Sequence, residues 1–302
     1  MKTIFQILIS IALTSVYLIS AASTDEPSTK TTSVNTGEVN YELQSQFGDL
    51  DEIANRGILR VLVTHSKTDF FIDQGRIRGI QAEYVQEFLK KLNKGRTNRF
   101  HSSESNRIIP QFVPVAFDEL IPSLLAGKGD IAAAFLTMTP ERAAEVDFIS
   151  PQGRLVDEIL VAHQNAEPIE KLAGLSGRTV YVLKGSSYAS HLLELNEKLN
   201  SVDLPAVNIV NADDQLLTED ILELVNAGII DYTVCDDFKA KLWAKALPDI
   251  RVYPDIRISS GQSVGWVIRQ NSPQLMAALN SFSNYVKKGT FLGNLLFNKY
   301  YA

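Results

Sequence analysis

The run Thr137 to Arg142, TMTPER, carries the strongest chemical signal in the chain. Thr139 suits a helix N-cap with Pro140 at the first helical position, which places Arg142 in the first turn. The preceding run Ile131 to Phe135 is short, apolar and uncharged, as a strand buried on both faces should be. Two hydroxyls (Thr137 and Thr139), free amide donors and a guanidinium therefore converge at the carboxyl end of a strand. Ligands bind there in open α/β sheets. A guanidinium suits a carboxylate because its parallel N–H donors match the two oxygens. The same spacing allows a plainer reading, a surface ion pair of Arg142 with Glu141 or Glu145.

Two other segments have the same character. In DYTVCD, Asp231 precedes an alternating strand and Asp236 follows its end, where it faces a cleft or caps the helix starting near Asp237. Lys184, Gly185, Ser186, Ser187 and Tyr188 follow a strand and open a helix, so their amides and hydroxyls suit an anion. An ordinary turn with a serine cap explains them too. It is no Walker motif, since the glycine spacing and the terminal Lys-Ser/Thr pair are missing.

These residues are positioned by alternating strands and helices. Ile58 to Thr64 reads as a strand and Gly79 to Lys94 as a helix. Asn93 to Asn106 reads as a polar loop. Asp118 is expected to cap a helix with Leu120, Ile121, Leu124 and Leu125 in one stripe, ended by a left-handed Gly127. A second set of elements begins near Ile159, with strands at Thr179 to Leu183, Val207 to Val210 and Asp231 to Val234. Its helices are expected at Tyr188 to Leu199, Thr218 to Ala227 and Asp237 to Ala246. A strand at Val264 to Arg269 and helices at Pro273 to Lys287 and Thr290 to Tyr300 close the chain. The alternation signals an α/β fold with mainly parallel sheets.

The 302 residues are 45% hydrophobic and 21% charged, enough for two core-forming lobes. The net charge of −6 argues against nucleic acid or an anionic membrane as partner. Residues 1–22 read as a secretory signal peptide, the alternative being an uncleaved anchor. No lipobox cysteine stands near it, so a soluble, periplasmic or secreted protein without membrane insertion is expected. Residues 23–46 read as a flexible arm. Cys235 is the only cysteine, so no intramolecular disulfide forms, and a small buried apolar role is expected. His65, His101, His163 and His191 are scattered, and no metal or cofactor is expected.

The segments FDELIPSLLAGKGDIAAA, TMTPER and VDF resemble the first lobe of extracytoplasmic solute-binding proteins of family 3, the amino-acid-binding type. Within that family the chain is most similar to the non-catalytic solute-binding domain of F-type membrane-bound murein transglycosylases, through DLDEIANRGILRVLVT, AGIIDYTVCD and GTFLGNLLFNKYY. The resemblance implies a type II periplasmic-binding-protein fold. Residues 47–158 with 259–302 would form lobe 1 and residues 159–258 lobe 2, with hinge crossovers near 157–162 and 254–261. It implies that Thr137 and Arg142 hold a ligand carboxylate, with Ser187 helping from the second lobe, and that Asp236 takes the ligand ammonium. One of Phe70 and Phe71 would line the cleft or else join the core. Phe135 stands where glycine is common and would crowd the site.

The implied activity is reception of an amino acid or a short wall-derived peptide by a monomer, feeding an ABC permease, or a free-standing sensor of cell-wall turnover. Catalysis is not expected. Glu104-Ser105 imitates a catalytic pair from within the polar loop, and no carboxyl group stands in a place that glycoside hydrolysis needs; the enzymatic alternative is lyase or dehydratase chemistry with Glu158 as a proton shuttle.

Overall fold

The computed structural model describes residues 44–94, 107–151 and 153–301. The expected signal peptide, most of the arm and most of the polar loop, with His101 and Glu104-Ser105, lie outside the described residues. The described end of the arm is tied to the fold: Gln46 N–H donates to the Gly127 carbonyl at 2.9 Å, and Arg60 donates to the Gln46 carbonyl at 2.8 Å.

In chain order the elements are α1 (Leu50–Arg56), β1 (Ile58–Val63), β2 (Phe71–Asp73), β3 (Arg76–Arg78), α2 (Ile80–Leu92), β4 (Ile109–Pro114), α3 (Leu120–Leu125) and β5 (Ile131–Thr137). There follow α4 (Pro140–Glu145), β6 (Val146–Ile149), β7 (Leu155–His163), β8 (Thr179–Val182), α5 (Ser187–Asn200), β9 (Asn208–Asn211), α6 (Thr218–Asn226) and β10 (Tyr232–Asp236). Last come α7 (Asp237–Trp243), β11 (Ile250–Arg269), α8 (Pro273–Val286) and α9 (Phe291–Tyr301).

The strands pair in the order β4-β1-β5-β11-β7-β10-β8-β9, with β6 also on β11. At one end β1 runs parallel to β4 and β5, and at the other β8 runs parallel to β9 and β10. The strands between them, β7 and β11, are antiparallel to each other and to their neighbours. Each end folds around its own apolar core. One is built from residues such as Val61, Phe88, Trp266 and Phe282, with Leu62, Leu120, Leu124 and Val267 filling the other sheet face. The second holds Leu160, Val180, Leu192, Leu222 and Val234. The result is a type II periplasmic-binding-protein fold of two lobes, spanned by β7 and β11.

Sequence expectations of two kinds need correction. Asp118 does not cap a helix: it sits in a 3-10 turn before α3, and its carboxylate instead meets Lys184 Nζ at 2.9 Å. Leu125 leaves the expected stripe and is exposed, because α3 is short and only Leu120 and Leu124 turn fully inward. The strand expected at Val264 begins at Ile250, and its path past Pro254 and Gly261 is accommodated by register shifts against β7. Between β1 and α2 lies an unforeseen hairpin, β2 and β3, turned by Gln74 at φ 47° and Gly75 at φ 75°.

A buried ion cluster secures β1. Asp130 accepts from the Arg60 backbone N–H and side chain, both at 2.8 Å, and pairs with Arg56 and with Arg269 at 3.6 Å. Burial alone would raise the Asp130 pKa, but the Arg60 hydrogen bonds outweigh it and hold the carboxyl below its usual range.

Candidate functional site

Thr139 caps α4 as its residue type demands, its hydroxyl accepting from Arg142 N–H, with Pro140 opening the helix. This turn aims Arg142 at the seam between the lobes. One guanidinium N–H donates to the carbonyl of Thr137, the last residue of β5, and another to the carbonyl of Gly185 on the second lobe, each at 2.7 Å. Neither Glu141 nor Glu145 pairs with it within salt-bridge distance among the described residues. Arg142, Phe117, Leu136 and Gly185 line a groove of about 360 Å³ at this edge of the cleft.

Across the seam, Ser187 opens α5 and donates to Glu158 Oε1 at 2.6 Å, while Glu158 Oε2 lies 2.6 Å from His191 Nδ1. Glu158 is completely buried on β7. Its hydrogen bond raises the His191 pKa. Ser187 thus already faces a carboxylate, supplied by the protein. Ser186 does not cap α5, since its hydroxyl turns back to the Leu183 carbonyl at 2.6 Å.

Asp236 is the last residue of β10. Its side chain does not cap α7 but accepts from Tyr188 OH at 3.1 Å. Burial pushes its pKa up to about 7. Phe135 is buried with its ring 5.0 Å from that of Phe238, so an aromatic pair from opposite sides of the cleft fills the place where the sequence foresaw crowding. Phe70 packs 5.1 Å from Phe112 in the first core, and Phe71 stands half-buried on β2. Phe135, not the other two, borders the central cavity.

The centre of the cleft holds residues that carry no motif in the sequence. The segment between β1 and β2 brings Ser66, Thr68 and Asp69 from the first lobe. Gly79, at φ 109°, lets the chain fold against the Asp69 carbonyl, which a Cβ there would meet at 2.3 Å. Glu219 of α6 and Lys239 of α7 come from the second lobe. Ser66 Oγ and Thr68 Oγ1 donate to Glu219 Oε1 at 2.9 and 2.8 Å, Lys239 Nζ lies 3.3 Å from Asp69 Oδ2, and Tyr301 OH donates to Asp69 Oδ1 at 2.7 Å. The cavity among these groups is about 10 Å³, roughly one water. The centre of the cleft is therefore filled by the protein's own side chains, while a space of about 260 Å³ lined by Thr64, His65, Asp214 and Gln215 adjoins it. The signal for these residues was local and weak: Lys239 one helical turn after Asp236, and Asp69 beside two phenylalanines.

No group of three or more His, Cys, Asp and Glu residues able to hold a metal occurs among the described residues. Cys235 is buried, and burial pushes its thiol well above the usual range. No helix among the described residues is long and apolar enough to cross a membrane.

A family model described as bacterial extracellular solute-binding proteins, family 3, matches residues 59–301. Membrane-bound lytic murein transglycosylase F of Desulfosudis oleivorans is 29% identical over 267 residues, covering 87% of this chain and 52% of that protein. The chain thus spans about half the length of this relative. Among solved structures, an ancestral arginine-binding protein bound to arginine superposes with a TM-score of 0.65 at 23% identity, covering 82% of this chain and 99% of that one. The substrate binding protein of an amino acid ABC transporter superposes at 0.63 and 20% identity, covering 81% and 99%. Both likenesses show the fold.

Proposed function

Because the chain belongs to the bacterial extracellular solute-binding proteins of family 3, we propose that it receives a small amino-acid-like ligand between its lobes and delivers it to an ABC permease. The observation that carries this reading is the placement of Arg142. Its guanidinium stands at the seam, reaching the Gly185 carbonyl on the far lobe, two residues before α5 begins. A ligand carboxylate entering here meets the guanidinium, the Thr137 hydroxyl and, with Glu158 displaced, Ser187. Asp236 then takes an ammonium. In this reading residues 47–158 with 259–302 move against residues 159–258 about β7 and β11, and contacts made only when the lobes meet stabilise the closed state. Export through the segment at 1–22 to the periplasm or medium, action as a monomer and independence from membranes belong to the same proposal.

A second reading follows from the relative from Desulfosudis oleivorans, named a murein transglycosylase. In it the same receptor senses wall-derived peptides and regulates cell-wall turnover. A thermal-shift screen of L-amino acids and muropeptides tests both. A ligand at 100 times its Kd should add about 2.7 kcal/mol of stability to the wild type, and Arg142→Ala should abolish the shift while leaving the unliganded melting temperature nearly unchanged. A full shift in Arg142→Ala removes the carboxylate assignment.

A further inference from the structure

Three buried ionisable groups line the cavity at the centre of the cleft. Asp69, Glu219 and Lys239 are each more than nine-tenths buried. They come from both lobes: Asp69 from the loop after β1, the other two from the first turns of α6 and α7. Lys239 is the one cation in the set. Its ammonium has three N–H groups, of which one has an acceptor among the described residues, Asp69. Its ring contact is equally loose, 5.9 Å above Phe135. Burial of itself lowers the Lys239 pKa, but the fields of Asp69, Glu219 and Asp236 together override it and raise it.

Two carboxylates beside one ammonium leave an excess of negative charge in a space of low dielectric, where unpaired charge is costly. A lysine side chain is long and flexible enough to leave such a place, which its own cation occupies without a fixed fork of hydrogen bonds. The cavity has room for about one water beside it, so no second cationic group enters this space while Lys239 stays.

We propose that Asp69 and Glu219 form a subsite for the cationic side-chain group of a ligand, an amine or guanidinium, and that Lys239 is a tethered stand-in that fills it when no ligand is bound. The proposal deepens the receptor reading and rests on it for the ligand class, but the subsite itself is testable without any amino acid. Lys239 then has two consequences. It lets the lobes close empty, through its pair with Asp69, and it competes with every cationic ligand, setting a threshold of affinity.

The test is chemical rescue in the full chain. Lys239→Ala should melt at a lower temperature than the wild type, and millimolar n-butylammonium should restore most of the loss where sodium chloride of equal ionic strength restores none. In calorimetry the same variant should bind L-arginine at least about ten-fold more tightly than the wild type, a difference of about 1.4 kcal/mol, with L-glutamate unaffected. Rescue by sodium chloride equal to that by butylammonium overturns the subsite. Rescue by butylammonium without a gain for L-arginine confines the failure to the ligand class and keeps the subsite. Should Lys239→Ala not fold, small-angle scattering of the ligand-free wild type decides: a closed particle that opens in Asp69→Asn supports the stand-in, and an open wild type overturns it.

Discussion

Gly185 offers a way to wedge the cleft. It sits in the second lobe at φ +73°, and a Cβ there would lie 2.5 Å from Asp118 Cβ and 2.8 Å from Asp118 Cα in the first. Gly185→Ala therefore has two separable effects. The left-handed backbone costs an alanine about 1–2 kcal/mol, but that strain is local to the turn, is the same with the lobes open or shut, and lowers only global stability. The clash with Asp118 exists only in the closed form. Overpacking of this sort costs about 1–3 kcal/mol, equivalent to about 5- to 150-fold in the ratio of closed to open molecules. Ligand affinity should fall by up to the same factor when the closed form is the binding-competent one. Gly177→Ala is the matched control: φ is +72°, and the nearest atom to a new Cβ is Pro205 Cβ, 3.8 Å away within the same lobe. Small-angle scattering of ligand-free protein should show Gly185→Ala expanded and Gly177→Ala unchanged, while both melt at lower temperature. Equal scattering profiles for the two variants would refute the wedge.

Other outcomes follow from buried charge. Asp130→Ala should cost about 3–5 kcal/mol in denaturant unfolding, since three arginines lose their shared anion. Because the folded Asp130 pKa lies below its ordinary value, its contribution is present above that ordinary value and lost as pH falls through the folded pKa. A melting series in acid, flattened in the variant, checks it. Asp236 has the opposite sign: its folded pKa is raised from 3.8 to about 7, so its favourable effect is complete below about pH 4 and disappears as pH rises through 7. Asp236→Asn should match the wild type at pH 4 and be more stable at pH 8, by on the order of 4 kcal/mol for the full shift. Equal stability of the two proteins at pH 8 would count against the buried-carboxyl account.

Much of this fold could be read from local pattern. The Thr139-Pro140 start of α4, the uninterrupted apolar β5 and the left-handed Gly127 are decided within a few residues of themselves, and these signals survive folding because nothing distant competes with them. What escaped was decided by distance along the chain. Asp69 and Lys239 are separated by 170 positions and Tyr301 from Asp69 by 232, so no spacing rule joins them. Asp118 departs from its local signal because Asp before an apolar run suits a cap, whereas Lys184 on the other lobe offers it a full charge. The start of β11 was hidden by Pro254 and Gly261, residues that normally end strands but are tolerated where the ladder slips. The candidate site was legible to the extent of its strand ends, at Thr137 and Asp236. Its central charges were not.

In the proposed closing motion, the two strands that join the lobes act as a flexure. β7 and β11 lie side by side, laddered firmly at Ile250 to Tyr253 and again at Gln262 and Ser263, with irregular pairing between and Asp157 bracing it through Gly261 N–H and Arg257. Such a ribbon bends easily out of its plane but resists shear, because sliding one strand past the other breaks both ladders at once. Inserting a single residue into one strand alone would offset an entire half of the molecule by about 3.3 Å and reverse the facing of alternate side chains. Segment length here is therefore a mechanical tolerance, tighter than any requirement on which side chains the ribbon carries.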